Sequence, residues 1–182
     1  MFDDKKIREQ IKSGKEINWN YIAGKQVLSE DFIREFEDKL NWEFISEHQV
    51  LSEDFMREFQ NKLNWRWISQ SQNLSSNFIK EFQNKLDRDF VCKFQTLSQD
   101  FMKEFQDRIN WRWISQYQTL SEDFMKGFQD KLNWNYISYC QILSEEFIKE
   151  FHDRLDLDVI KNRNIVSDEF LEPYLVMNKL TK

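Results

Sequence analysis

Two rows of cations recur along the chain at intervals of 23 residues, and evenly spaced cations of this kind can follow a phosphate backbone. We call the two rows together the basic ladder: Arg34, Arg57, Lys80, Lys103, Lys126 and Lys149 form one row, and Lys39, Lys62, Lys85, Arg108, Lys131 and Arg154 form the other. Glu30 and Glu35 each precede a ladder cation by four residues, which favours ion pairs within a helix. The net charge of −6 provides no general attraction to nucleic acid. We therefore favour a solvated face with self-paired charges, and nucleic-acid binding is the alternative.

Aromatic residues recur at a second position of the same register, and a row of rings can stack on bases or contact a protein partner. We call this set the aromatic row: Tyr21, Phe44, Trp67, Phe90, Trp113 and Tyr136. Arg66 and Arg112 each lie between two tryptophans and would add cation–π contacts to such a surface. Because solenoid helices commonly bury more than one face, we favour a core position for the row. A half-exposed row would instead be the best binding surface in the chain.

One repeat, residues 74–96, carries Arg88 at a position where Trp42, Trp65 and Trp111 stand in other repeats. A cation in place of a core tryptophan predicts either local exposure or a paired charge. Arg88 is therefore a candidate for a partner site or a bend, although drift between repeats explains it more simply.

A glutamine recurs just before each new repeat, at positions 26, 49, 72, 95, 118 and 141. Its amide carries both donors and an acceptor, which suits the unpaired backbone groups at a helix end. We predict a structural role for this glutamine rather than ligand recognition.

The sequence offers little for catalysis. His48 and His152 occupy different repeat positions, and no metalloprotease or serine-hydrolase motif is present. Cys92 and Cys140 also differ in repeat position and provide neither a disulfide framework nor metal-ligand spacing. We predict a protein that is not an enzyme, with no catalytic residues, no metal site and no cofactor.

The elements that position these residues follow from the 23-residue repeat itself. A Leu-Ser pair begins each copy at Leu28, Leu51, Leu74, Leu97, Leu120 and Leu143. In the first copy, Ser29 is a suitable N-cap for helix A, which we expect to run for about ten residues with Phe32 and Ile33 on its buried stripe. Asn41 then caps helix B, and the small residue Ser46 permits close helix packing.

This pattern predicts an all-α fold, an α-solenoid of 23-residue antiparallel helix-hairpin repeats with about six full copies and terminal caps. We divide the chain into an N-terminal cap and half repeat at 1–27, six tandem repeats at 28–165, and a degenerate C-terminal cap at 166–182. Lys161 replaces the small residue of helix B, so the array should stop near it. Pro173 should then end the final helix.

The motif LSEDFI–EF–DKLNW––IS––Q, as in Leu51–Ile68 and Leu120–Ile137, resembles the tandem short-repeat proteins encoded by giant DNA viruses and their satellite virophages. The resemblance covers residues 17 to about 170. It implies an α-helical array made in an infected eukaryotic cell, with binding or adaptor roles that include DNA association. No catalytic residues come with it.

Together these features predict a non-enzymatic scaffold or adaptor that binds a macromolecule, most simply a protein, along its repeat surface during viral infection. The alternatives are a DNA-binding protein that uses the basic ladder and the Arg-flanked aromatics, and a structural component of the virion. Pairing of two chains as a homodimer also remains open. The sequence shows no signal-peptide-like start and no run of about 20 apolar residues, so we expect no membrane partner and an intracellular protein in the host cytoplasm, viral factory or virion.

Overall fold

The computed structural model describes residues 3–180, and every regular element in that range is a helix. The chain divides into two compact units, unit 1 at Met1–Gln95 and unit 2 at Thr96–Lys182. Unit 1 contains α1 (Asp4–Lys12), α2 (Trp19–Lys25), α3 (Glu30–Glu35), α4 (Trp42–His48), α5 (Glu53–Glu58), α6 (Trp65–Ser71), α7 (Ser76–Glu81) and α8 (Arg88–Phe94). Unit 2 contains α9 (Gln99–Glu104), α10 (Trp111–Tyr117), α11 (Glu122–Gly127), α12 (Trp134–Cys140), α13 (Glu145–Phe151), α14 (Leu157–Asn162) and α15 (Asp168–Leu180).

Each repeat is a pair of short helices, which confirms the predicted α-solenoid class. Helix A begins after a serine whose hydroxyl oxygen accepts a hydrogen bond from the backbone N–H three residues later, as from Phe32 to Ser29 at 3.1 Å. Helix B begins after an asparagine or aspartate that caps it in the same manner, as Asn18 does for the N–H of Tyr21 at 3.0 Å. Both sets of caps therefore lie where the sequence predicts them.

Helix A is shorter than expected. In the first full repeat it covers only Glu30–Glu35, and the backbone departs from helical geometry at Phe36. The N–H groups of Lys39 and Leu40 both donate to the carbonyl of Phe36, at 2.9 and 3.2 Å, and close a compact turn. This turn reverses the chain and buries Leu40, so the apolar stripe continues past the helix end without helical backbone.

Helices B pack against one another in chain order, α2 on α4, α4 on α6 and α6 on α8 in unit 1, and α10 on α12 and α12 on α14 in unit 2. Helices A cover one side of this layer through fully buried side chains such as Phe32, Phe55 and Ile33. The tryptophan that opens helix B joins neighbouring repeats. Trp42 stacks on Phe59 of the next repeat at a ring-centroid distance of 5.0 Å, and its indole N–H donates to the carbonyl of Glu37 at 2.9 Å.

Helix α15 corrects the prediction for Pro173. The proline lies inside this helix rather than ending it. Ser167 caps the start of α15 through the N–H of Phe170 at 3.2 Å, and Leu171 is fully buried, so α15 is the helix A of a seventh copy. Pro173 removes only the bond to a carbonyl in the first turn, and the helix continues beyond it.

Candidate binding surface

The recurrent glutamine joins consecutive repeats through its buried side-chain amide. Gln49 accepts a hydrogen bond from the backbone N–H of Leu28 at 3.0 Å and donates to the carbonyls of Ala23 and Gln26 at 2.7 and 2.8 Å. Gln72, Gln95 and Gln141 make the same three bonds, one from the N–H of the leucine that begins their own repeat and two to carbonyls of the repeat before it. The predicted structural role is confirmed, since each amide satisfies three buried backbone groups at a helix boundary.

The small residue of helix B has a second role that the sequence reasoning missed. The hydroxyl of Ser46 donates to the carbonyl of Trp42 at 2.7 Å and accepts from the backbone N–H of Asn64 at 2.9 Å. Ser69, Ser115 and Ser138 repeat this arrangement. The choice of serine over alanine at most copies was the available signal, because a buried hydroxyl requires a partner.

The basic ladder is paired with acids, mainly between repeats rather than within one helix. Arg34 lies 3.7 Å from Glu30 on its own helix but only 2.9 Å from Glu58 of the next repeat. Carboxylates lie within 3.7 Å of Arg34, Arg57, Lys62, Lys103, Lys126, Lys131 and Arg154. The ladder is thus a charged face that is largely neutralised by its own acids.

The remaining ladder residues are Lys39, Lys80, Lys85, Arg108 and Lys149. Lys85 donates to the amide oxygen of Gln60 at 2.7 Å, and Lys39 lies 5.4 Å from the centre of the Trp19 ring. Lys80 is half-buried, whereas Arg108 and Lys149 are exposed. Cations of the second row cover tryptophans of the preceding repeat, as Lys62 covers Trp42 at 5.5 Å, so these side chains also join neighbouring repeats.

Two of the ladder arginines and one lysine have raised pKa values. A hydrogen bond to Glu58 raises the pKa of Arg34, and the corresponding bond to Glu81 raises that of Arg57. The hydrogen bond between Lys126 and Glu150, 2.6 Å long, raises the pKa of Lys126 in the same way. Each pKa is raised because a glutamate of the next repeat stabilises the charged form of the cation.

The aromatic row is not part of the core, which corrects the favoured interpretation. Tyr21 is 56% exposed, and Phe44, Trp67, Phe90, Trp113 and Tyr136 are each half-buried. The buried face of helix B is formed instead by the residues that follow the row residue in sequence, such as Ile68 and Ser69 after Trp67. Phe90 and Tyr136 each lie under an arginine of the preceding repeat, and the indole N–H of Trp67 donates to Glu43 of the preceding repeat at 3.4 Å.

The two tryptophan-flanked arginines lie on this row, as the sequence predicts. In unit 1, the guanidinium of Arg66 lies 4.8 Å from the ring centre of Phe90. In unit 2, Arg112 lies 5.6 Å from the ring centre of Tyr136 and donates to its hydroxyl through Nη2 at 3.0 Å and Nε at 3.3 Å. Both arginines are exposed, so each holds a cation over a ring at the protein surface.

Further apolar side chains extend the row. Phe94 and Tyr117 are 43% exposed, and each ring lies beside a row residue four positions earlier. Tyr139 and Ile142 are 59% and 87% exposed, and the sequence reasoning missed both. Tyr139 is the one aromatic residue at its repeat position, and Ile142 shares its position with Val27, Val50 and Ile165. Arg88 is exposed at the start of α8, which agrees with one of its two predicted states.

The remaining side chains with catalytic or ligating chemistry are not brought together. His48 stacks on Phe44 with ring centres 5.9 Å apart, and His152 contacts Asn178 at 3.2 Å. Among residues 3–178, no group of three or more His, Cys, Asp or Glu side chains is arranged to hold a metal ion. No helix in the described part of the chain is both long and apolar enough to span a bilayer.

Each unit therefore offers, on its helices B, a surface for contact made of partly exposed rings and an exposed arginine that lies over one of them. Comparisons of the chain with protein-family models, with curated proteins and with solved structures found no match.

Proposed function

We propose that this protein is a non-enzymatic scaffold or adaptor that binds a protein partner along the exposed side of its helices B. The proposal is carried by the aromatic row, in which Tyr21 is exposed and the other five rings each keep part of their surface accessible. The other recurrent positions stabilise the fold. Serine, asparagine and glutamine form hydrogen bonds with backbone groups, and most ladder cations form ion pairs with acids. Aromatic residues and arginine are enriched in the centres of protein interfaces. The resemblance to viral repeat proteins extends the proposal to a role in infection.

The nucleic-acid alternative has less support. Ladder cations form ion pairs with Glu58, Glu81 and Glu150 of neighbouring repeats, and a phosphate backbone would have to displace those carboxylates. Among the residues that the structure describes, Arg66 and Arg112 are exposed cations that lie over rings of the aromatic row. A protein partner needs no such displacement, because rings and single arginines contribute to an interface without a continuous basic track.

The test compares capture of partners by the wild-type chain and by a variant with a reduced aromatic surface. Phe94→Ser and Tyr117→Ser install the residue that stands at the same repeat position in α6, Ser71, and Tyr139→Gln installs the equivalent of Gln70. These residues already occur in the same register, so the fold should tolerate them. Circular dichroism and thermal melting check that it does.

Proteins recovered from infected-cell or host lysate by the wild type and lost with the triple variant would support the proposal. The matched control changes Asp31, Asp54 and Asp100, three almost fully exposed acids of helices A, to asparagine and should recover the same proteins as the wild type. Recovery of identical proteins by all three chains, or of none, contradicts the proposal.

Titration with labelled oligothymidine and duplex DNA at low salt tests the alternative. We expect no specific binding. Affinity that falls steeply with added salt and disappears in Lys103→Glu, Lys149→Glu would establish nucleic-acid binding through the ladder instead.

A further inference from the structure

The junction between α12 and α14 lacks the recurrent glutamine. In each of the five preceding copies, the amide oxygen of this glutamine accepts a hydrogen bond from the backbone N–H of the leucine that begins the repeat, at 2.9 to 3.1 Å. Asn164 occupies the same register position in the sixth copy, but its backbone has a φ of 53° and the residue is exposed. The sixth copy therefore begins, at Leu143, without that acceptor.

Arg163 replaces only the donor half of the missing amide. Its Nη1 donates to the carbonyls of Ser138 and Gln141 at 2.6 and 2.9 Å. These carbonyls correspond in register to the two that the glutamine of the preceding copy binds. A guanidinium has five N–H donors and no acceptor, so Arg163 supplies no oxygen for the N–H of Leu143.

The backbone N–H of Leu143 is an unpaired donor. Among the residues that the structure describes, no oxygen accepts a hydrogen bond from it. Leu143 is 3% exposed, and buried backbone N–H groups are almost always paired in folded proteins. This donor therefore requires an acceptor from outside the described chain.

The charge of Arg163 is unpaired as well. Arg163 is half-buried, and within residues 3–180 no Asp or Glu side chain forms an ion pair with it. Asp168, five residues later, pairs with Lys161 at 3.3 Å instead. Because a partly buried cation without a counter-charge is unfavourable, the guanidinium also favours an anion beside it.

The two donor groups lie around one small space. In the preceding copies a single amide group reaches both carbonyls and the leucine N–H, so these three backbone groups surround a space of about that size. Nη1 of Arg163 takes the position of the amide nitrogen, which leaves the position of the oxygen between the guanidinium and the N–H of Leu143. Ile142 and Asn164 are both exposed, so this space borders on solvent.

We infer that Leu143 and Arg163 form a binding site for a chloride ion at the junction between α12 and α14. A monatomic anion accepts from the N–H of Leu143 and from Nε or Nη2 of Arg163, which Nη1 leaves available, and it also neutralises the guanidinium. Water accepts the same hydrogen bonds but brings no charge, and a space the size of one amide oxygen excludes polyatomic anions. The bound ion completes the junction in place of the glutamine oxygen. This site is separate from the aromatic row and does not depend on the proposed function.

The first experiment measures the broadening of the chloride NMR signal by the full-length chain, because chloride that exchanges with a protein site relaxes faster than free chloride. We expect the wild type to broaden the signal and Arg163→Gln to lose this effect. The matched control is Arg154→Gln, which removes an arginine of the same unit that pairs with Asp130 at 3.2 Å and should keep the broadening. Circular dichroism checks that both variants fold.

The second experiment uses the unaltered chain and compares thermal melting in sodium chloride and in sodium gluconate at equal ionic strength, which keeps the screening of the ladder ion pairs constant. A bound ligand stabilises the folded state, so Tm should be higher by about 3 °C in chloride at roughly ten times its Kd. The difference should disappear in Arg163→Gln.

Equal melting of the wild type in the two salts overturns the site, with water as the acceptor for Leu143, and this result stands even if Arg163→Gln does not fold. Broadening that survives in Arg163→Gln, or that Arg154→Gln also abolishes, overturns it too, because chloride would then bind surface cations in general. Partner capture by the aromatic row is measured separately, so failure of the chloride site leaves the proposed function standing.

Discussion

Residues 64–70 and 110–116 have the same sequence, NWRWISQ, yet they present different surfaces. Their interiors agree: Ile68 and Ile114 are both fully buried on helix B. Their exteriors differ, because Arg66 lies over the plain ring of Phe90 whereas the corresponding arginine of α10 bonds the hydroxyl of Tyr136. The surface of a repeat is thus determined by the repeat that follows it, while its interior is determined by its own register. Positions that recur identically hold the fold, and positions that vary create sites.

The largest effect should come from the shared interior. Gln72→Leu in unit 1 and Gln141→Leu in unit 2 each remove three hydrogen bonds to buried backbone groups. We expect each to lower the free energy of unfolding by roughly 3 kcal/mol, since buried groups lose their partners. Urea denaturation measures this, with Gln70→Leu on the surface of α6 as the control. A change below about 0.5 kcal/mol would show that the amides are not structural.

A smaller loss should follow removal of the serine hydroxyls. Ser69→Ala and Ser115→Ala each break a bond to the next N-cap residue, from Asp87 at 2.9 Å and from Asn133 at 3.0 Å. Because both serines are fully buried, each change should cost about 1–2 kcal/mol, and the two costs should agree. Unequal costs in the same denaturation assay would contradict the claim that the two interiors are equivalent.

The ring that lies under Arg66 and the ring that lies under Arg112 differ by one hydroxyl, so a single substitution converts either one into the other. Tyr136→Phe gives α12 the ring that faces Arg66 in unit 1, and it should cost about 0.5–1 kcal/mol through loss of the hydrogen bonds from Arg112. Phe90→Tyr makes the reverse change and should be neutral or slightly stabilising. If Tyr136→Phe leaves stability unchanged, the hydroxyl does not hold Arg112 in place.

The smallest effect is expected on the charged face. Lys126→Met removes an exposed pair with Glu150, so the loss of stability should be slight and should vanish at high salt. The comparison of thermal melting with and without added salt measures it. A large loss that salt does not change would mean that the ladder contributes to packing rather than to surface charge.

The sequence predicted the helix caps, the buried stripe and the bridging glutamine because each is a local rule repeated in every copy. It misplaced three features that depend on packing between copies. Helix A ends early at Phe36, because the turn that follows it, rather than helical backbone, places Leu40 in the core. Pro173 does not end α15. The fraction of each aromatic-row side chain that is buried depends on the spacing of neighbouring helices B, and the 23-residue period does not specify that spacing.

The ion pairs illustrate the same limit. A spacing of four residues predicts Glu30 as the partner of Arg34, but the shorter contact is to Glu58, 24 residues away. Repeat proteins bring such residues together whenever the copy length nearly equals their separation. For the binding surface, the sequence identified the row and its arginines but not the exposed Tyr139, because no other repeat has an aromatic residue at that position.

The two cysteines test most directly whether register position decides between core and surface. Cys92 occupies the small buried position of helix B and is 1% exposed, whereas Cys140 lies four residues after Tyr136 and is exposed. In the native chain, we predict that the thiol of Cys140 reacts quickly with DTNB and that the thiol of Cys92 reacts only after unfolding. Two fast thiols would place the small position outside the core, and two slow thiols would remove the exposed surface on which the proposed function depends.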